Sequence, residues 1–285
     1  MSASWPHASK ELDEATSDAL RLISEAATQH RIPFLLVGAM ARDMLLQHVH
    51  DMSRERRTMD VDIGVMVGSW AKFSEFCEAL SARGLEHNPS VEHRFRSAQG
   101  IIIDVVPFGG LADAKGFIFW PPDDDPMMRV TGFDDALRHC LRMNVGDGLV
   151  VNIVSLPGLA MLKLLAWNDR RYATDKDAQD LALLLRVYGE VTQDMLFNSE
   201  AELMERHGFD METAGAELLG HDMAAMASTE TALYLLRIML ENEEDTMPNE
   251  QLVRDIAKHL PGREYEHAEN MLQHVYSGMT LYERK

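Results

Sequence analysis

At 285 residues the chain has room for one large domain or two ordinary ones, and 46% hydrophobic with 26% charged residues excludes a disordered polypeptide. Acidic residues outnumber basic ones, 46 to 27, and the resulting net charge of -19 disfavours a surface devoted to long nucleic acid. Cys77 and Cys140 are the only cysteines, too few for a disulfide framework or a thiolate metal cluster, which fits a reducing compartment.

The opening MSASWPHASKELDE lacks a basic start followed by an apolar run, so no secretory signal is read there. Leu12, Ala15, Ala19, Leu20, Ile23, Ala26 and Ala27 recur at helical spacing and predict an amphipathic helix over residues 9–30. After Pro33 the run FLLV predicts a short buried strand over residues 34–37, and Gly38 begins a turn into a helix over 39–47. Residues 48–58 are polar and basic, hence a loop, with Arg54, Arg56 and Arg57 in it. Residues 59–67 predict a strand carrying Asp60 and Asp62, and Phe73, Phe76, Cys77 and Leu80 define one face of a helix over 70–83. Strands over 93–97 and 101–108 flank a hairpin turn at Gln99-Gly100; the first carries Arg94 and Arg96, the second a lone acid, Asp104. Residues 109–132 read as an irregular, exposed excursion in which the run Asp123–Asp125 is solvated.

A last strand is expected over 150–154. The apolar stretch 150–167 is broken by Asn152, Pro157, Gly158 and Lys163, which argues against a membrane span and for a cytoplasmic protein. Beyond Leu156 helical periodicity recurs over 159–167, 178–188, 201–206, 229–241, 249–260 and 264–276, with no convincing strand. The expected architecture is therefore α+β. A mixed β-sheet with flanking helices fills residues 1–154, and an α-helical domain fills 155–285.

Strand side chains alternate between faces, so Asp60 and Asp62 stand side by side. Paired carboxylates repel unless protonated, solvated or neutralised, and a divalent cation with oxygen ligands is the usual neutraliser. Asp104, between Ile103 and Val105, needs a partner of its own, and a cation shared with Asp60 and Asp62 supplies one. Three acids on two strands have the logic of a two-metal phosphoryl-transfer site, with two Mg²⁺ ions, Mn²⁺ being an alternative. Upstream, Gly38 and Ala39 sit where a strand ends and a helix begins, a place where backbone N–H groups can receive a triphosphate.

The pattern GAxARDxLL, then DVDIG, then IDVVPFG resembles the nucleotidyltransferase superfamily that includes DNA polymerase beta and the CCA-adding enzymes. That resemblance implies a short mixed sheet carrying the three acids and transfer of a nucleoside monophosphate from an NTP, ATP by default, to a hydroxyl. It also implies a sugar or phosphate contact at Arg42, from the likeness of Arg42-Asp43 to the VRD segment of the CCA-adding enzymes; Ala39 stands where the family's serine usually does. In LPGLAMLKLLAWNDRRYATDKDAQDLALLL, Lys163 interrupts the apolar face of its helix, either snorkelling to water or meeting an anion such as a triphosphate. This stretch resembles the K-x-x-A, R and KD-x-x-DL segment of AbiEii-type nucleotidyltransferases, the toxin-like branch. By that resemblance Lys163 touches phosphate, and Arg170 or Arg171, Lys176, Asp177 and Asp180 line the nucleotide or acceptor side of a cleft that the helical domain completes. Spacing does not decide between the two arginines, and Arg171 is carried forward.

The twelve histidines show no HExxH or comparable spacing, His48 and His50 read as exposed, and zinc is not expected. Cys77 reads as a core residue rather than a nucleophile, and the 19 methionines as packing residues. The expected activity is Mg²⁺-dependent nucleotidyl transfer by a two-metal mechanism to a hydroxyl on a small molecule, a protein or a tRNA end. Asp60, Asp62 and Asp104 are its catalytic and metal-holding residues, and a cognate antitoxin is a possible partner. The alternative is a catalytically silent nucleotide-binding or toxin–antitoxin interaction module of the same fold.

Overall fold

A computed structural model of the protein describes residues 12–49, 60–122, 124, 127–240 and 248–281. The chain divides into two compact units, Met1–Ser155 and Leu156–Lys285.

In the first unit, helix α1 (Glu14–His30) starts where Asp13 accepts a hydrogen bond from the Thr16 N–H, and it buries Ala19, Leu20, Ile23, Ala26 and Ala27. Strand β1 (Phe34–Val37) is buried throughout and runs directly into α2 (Gly38–Met44), which continues as a π-helical turn over Leu45–Val49. Strand β2 (Asp60–Met66) and helix α3 (Trp70–Ala82), capped by Ser69, follow. Next come β3 (Glu86–His87), β4 (Arg94–Arg96) and β5 (Ile102–Phe108). The excursion over 109–132 is less irregular than its sequence implies. Within it β6 (Phe117–Phe119) and β7 (Met127–Arg129) pair antiparallel as a separate two-stranded sheet, three residues being too few to display alternation. Asp123 and Asp125 lie outside the described residues. Helix α4 (Phe133–Arg138), β8 (Leu141–Asn144) and β9 (Val150–Ile153) complete the unit.

Seven strands form one mixed sheet in the order β3-β4-β5-β2-β1-β9-β8. The β2–β5 and β1–β9 pairs are parallel, and the β1–β2, β3–β4, β4–β5 and β8–β9 pairs are antiparallel. Val61, Ile63 and Val65 of β2, with Ile103 and Val105 of β5, are fully buried on one face. The alternation that buries them turns Asp60, Asp62 and Asp104 to the other.

The second unit is helical: α5 (Leu156–Arg170), α6 (Lys176–Val191), α7 (Gln193–Phe197), α8 (Ala201–Arg206), α9 (Met211–Met226), α10 (Thr229–Met239), α11 (Glu250–Ala257) and α12 (Tyr265–Leu281). Helix α9 packs against α5, α6 and α12 and is its centre. The sequence gives it no polar stripe because METAGAELLGHDMAAM is buried on nearly every side, and a helix apolar all round loses the periodicity by which helices are read. Among the described residues no helix is long and apolar enough to cross a membrane.

Candidate active site

Pairing register builds the acid cluster. Asp62 of β2 stands directly opposite Asp104 of the parallel neighbour β5, and Asp60, two residues earlier, faces Ile102. Adjacent strands lie about 4.8 Å apart and equivalent positions share a face, so Asp62 and Asp104 are lateral neighbours and Asp60 is the next residue along that face. Asp60 is exposed, and Asp62 and Asp104 are half-buried.

On its other side Asp62 registers with Val37, the last residue of β1. Gly38 follows with φ +71°, a left-handed conformation that favours glycine, and a Cβ built on it would fall 2.1 Å from Asp62 Oδ2. Only hydrogen fits there, so the strand-to-helix turn brings its backbone against the Asp62 carboxylate. Ala39, the next residue, is half-buried. Arg42, one turn into α2, donates from Nε to Asp43 Oδ1 at 2.9 Å, and both side chains are nearly buried. Farther along the acid face, a Cβ on Gly64 would meet the Phe133 ring at 2.7 Å, and Phe133 lies 5.3 Å from the Phe108 ring. These rings cover the Gly64 end of the face.

The residue that sequence reasoning missed here is Arg94. Its Nε donates to Asp104 Oδ1 at 2.7 Å and its Nη2 to Asp104 Oδ2 at 2.8 Å, a two-pronged pairing on the side away from Asp62. A two-residue turn at Gln99-Gly100 would set Arg94 opposite Val105; the turn instead spans residues 98–100, with the Ser97 N–H donating to the Ile101 carbonyl, and that shift sets Arg94 opposite Asp104. The Asp104 hydrogen bond and charge push the Arg94 guanidinium pKa above its ordinary value, with Asp60 and Asp62 adding to the effect. Asp104 thus has a protein partner as well as carboxylate neighbours. Three carboxylates gather on this face, and a carboxylate carries about four lone-pair sites, more than Arg94 occupies at Asp104. This all-oxygen donor set fits a hard divalent ion such as Mg²⁺ or Mn²⁺.

The second group of expected site residues lies in the helical unit, on α5 and α6. Lys163 Nζ sits 2.6 Å from Asp180 Oδ2 and 3.2 Å from Asp177 Oδ1. Arg170 grips Asp177 with Nε to Oδ2 at 2.6 Å and Nη2 to Oδ1 at 2.8 Å. Burial alone would raise the Asp177 pKa, but Arg170 and Lys163 outweigh it and hold it below the usual carboxylate range. Burial would likewise lower the Lys163 pKa, and Asp180 and Asp177 drive it above its ordinary value instead. Lys163 is engaged rather than snorkelling. Arg171 instead donates to the Asn168 carbonyl and lies 4.7 Å from the Tyr172 ring centroid and 5.2 Å from that of Trp167. Lys176 is exposed at the start of α6.

Cys77 is largely buried, and desolvation pushes its thiol pKa up to about 12, the wrong direction for a nucleophile. The basic loop residues Arg54, Arg56 and Arg57, and His50, lie outside the described residues, as does the side chain of His48.

A mixed sheet with an acid pair on one strand and a third acid on its parallel neighbour, followed by a helical unit, is the fold of a nucleotidyltransferase. The chain belongs to the AbiEii family, nucleotidyl transferase toxins of type IV toxin–antitoxin systems, whose profile matches residues 21–274. Two solved structures are similar to it. One is the solution structure of the antibiotic-resistance factor ANT(2'')-Ia, with 15% identity and a TM-score of 0.39 over 69% of this chain and 98% of that one. The other is the crystal structure of an antigenic nucleotidyltransferase-like protein from Paracoccidioides brasiliensis, with 17% identity and a TM-score of 0.40 over 72% and 93%. Comparison with curated proteins gives no match.

Proposed function

We propose that this protein transfers a nucleoside monophosphate from an NTP, ATP by default, to a hydroxyl acceptor, and that Asp60, Asp62 and Asp104 are the residues that carry the reaction. The supporting observation is the register of β2 and β5, which sets Asp62 beside Asp104 on the face that Asp60 shares, with Gly38 closing against the Asp62 carboxylate. Asp60, Asp62 and Asp104 are the residues that would hold divalent ions, Mg²⁺ by default and two in number on the family's logic. Such ions supply neutralisation of the triphosphate and polarisation of the reacting phosphorus.

The protein's own part is to position and to take a proton. The acceptor oxygen bonds to the α-phosphorus, the bond from that phosphorus to the bridging oxygen of pyrophosphate breaks, and the hydroxyl proton passes to Asp104. Arg94 holds Asp104 by both oxygens and fixes the direction in which its remaining lone pairs point. Phe108 and Phe133 exclude water from one end of the face. Gly38 and Ala39 offer backbone N–H groups to phosphate, and Arg42 a guanidinium to phosphate or sugar. By the family's motif Lys163, Arg171, Asp177 and Asp180 serve the nucleotide. The ion pairs of Lys163 add a second task, holding α5 to α6, and it is Arg170 that shares Asp177 with it. Small-molecule, protein and tRNA-end hydroxyls are the acceptor classes, the cytoplasm is the proposed setting, and the family implies a cognate antitoxin as partner.

The test is incubation of the protein with each labelled NTP, Mg²⁺ and a cell extract. Label entering a macromolecule or small product, and its loss in Asp62→Asn and Asp104→Asn variants of unchanged circular dichroism, is the expected result. Full transfer by either variant, or none by the wild type with any NTP, overturns the reading and leaves the silent binding module.

A further inference from the structure

The helical unit assembles a second set of metal-competent side chains of its own. His207 lies just after α8, Glu217 on α9 and His274 on α12, and one donor atom from each falls within 4.8 Å of the other two. His207 and Glu217 side chains are 8% and 11% exposed. Glu217 Oε2 lies 2.7 Å from His207 Nε2, and Oε1 accepts a 2.7 Å bond from Arg206. The His207 and His274 rings meet edge to face with centroids 4.6 Å apart.

An ion pair explains Arg206, Glu217 and His207 but gives His274 nothing to do. Among the described residues His274 has its ring contact with His207 and no hydrogen bond, yet α12 is held tightly where it carries this ring. A Cβ on Gly278 would fall 1.9 Å from the Glu217 carbonyl oxygen, so the two backbones touch there. His274, four residues before Gly278, shares its face of the helix.

We propose that His207, Glu217 and His274 form a binding site for one transition-metal ion of the Zn²⁺ class. Two imidazoles and a carboxylate select borderline ions such as Zn²⁺, Co²⁺ or Ni²⁺ over Mg²⁺ and Ca²⁺, which prefer oxygen alone. A tetrahedral ion with bonds of about 2.1 Å needs its donors about 3.4 Å apart. The 2.7 Å His207–Glu217 contact therefore opens slightly and the wider gap to His274 closes, with the metal replacing the shared proton. Arg206 keeps the other Glu217 oxygen, so the carboxylate ligates through one atom and a water fills the fourth position. The ion ties the end of α8 to α9 and α12, a stabilising clip separate from the nucleotidyl-transfer chemistry. Sequence reading passed it over because the ligands share no helical spacing.

The test uses the full chain stripped with a chelator and needs no nucleotide. Equilibrium dialysis against Zn²⁺ is expected to give about one ion per chain, retained in excess Mg²⁺, and Co²⁺ is expected to give visible d–d absorption of a tetrahedral site. His274→Asn, which leaves the Arg206–Glu217–His207 pairing intact, is expected to weaken binding by about 10–100-fold and abolish that absorption. A second variant, Glu217→Gln, is expected to do the same. Wild-type stoichiometry no higher than that of a His207→Gln, Glu217→Gln, His274→Gln triple variant overturns the proposal. So does a Co²⁺ spectrum unchanged in His274→Asn.

Discussion

The sheet unit and the helical unit each contain an aspartate gripped by an arginine through two nearly identical bonds, Arg94 on Asp104 and Arg170 on Asp177. What surrounds each pair differs. Around Arg170 a second cation, Lys163, bonds to both Asp177 and Asp180, and Asp177 is fully buried. Around Arg94 the further groups are carboxylates, because Asp60 and Asp62 share the face with Asp104. A buried network that closes on itself is a device for holding two helices together. A half-exposed face on which three carboxylates gather is less stable than it need be, and that gathering is what a divalent ion would use.

The largest effect expected from this contrast is on activity. Asp62→Asn or Asp104→Asn should lower nucleotidyl transfer by about 10³-fold or more, measured with labelled NTP, while thermal denaturation shows a midpoint unchanged or raised. A variant that lost activity and unfolded together would make the acid face a structural element like the other. Next in size is Lys163→Met, which removes the buried cation that Asp177 and Asp180 share. Loss of one member of such a network costs about 3–5 kcal/mol, read as a shift in the urea midpoint. Adding Asp180→Leu should recover part of it by removing one of the two buried negative charges that Lys163 had neutralised. No shift in the single variant would show that Lys163 is not holding α5 to α6.

How much of this was legible follows the same contrast. The acid face could be read because period-two alternation in DVDIG and IIDVV states which side chains share a side, and the Gly38 turn marks where β1 gives way to α2. The Arg94 pairing was not implicit in a two-residue turn at Gln99-Gly100, which would have faced Arg94 with Val105; the extra turn residue that sets it opposite Asp104 leaves no mark in the pattern. Arg170 against Arg171 was beyond spacing, since adjacent helical residues diverge by about 100° and only packing shows which meets Asp177. Helix α9 escaped because total burial erases periodicity. The cluster of His207, Glu217 and His274 escaped because tertiary contacts between three elements leave no local pattern.

The helical network also predicts a pH dependence of intermediate size. Asp177 has a pKa held below its unfolded value, so the stability it contributes is present above that value, about 3.9, and is lost as pH falls through the lower folded value. Urea midpoints should therefore drop as pH falls below about 4, and Asp177→Asn, less stable at neutral pH, should show a shallower decline. An equally steep acid limb in that variant would place the titrating group elsewhere.

The smallest effect tests the other half of the comparison. The Arg94–Asp104 pair is partly solvated, 39% and 19% exposed, so Arg94→Gln should cost less than about 1 kcal/mol of stability. Its consequence should appear in ion binding instead. Arg94 offsets one of the three negative charges and competes for Asp104 lone pairs, so removing it should tighten Mn²⁺ binding by about 3–10-fold, measured by calorimetry or by the free-ion Mn²⁺ resonance. Weaker binding in Arg94→Gln would mean that the guanidinium aims Asp104 at the ion more than it neutralises the carboxylate. Arg94 and Arg170 would then do the same work, and the difference between the two regions would reduce to burial alone.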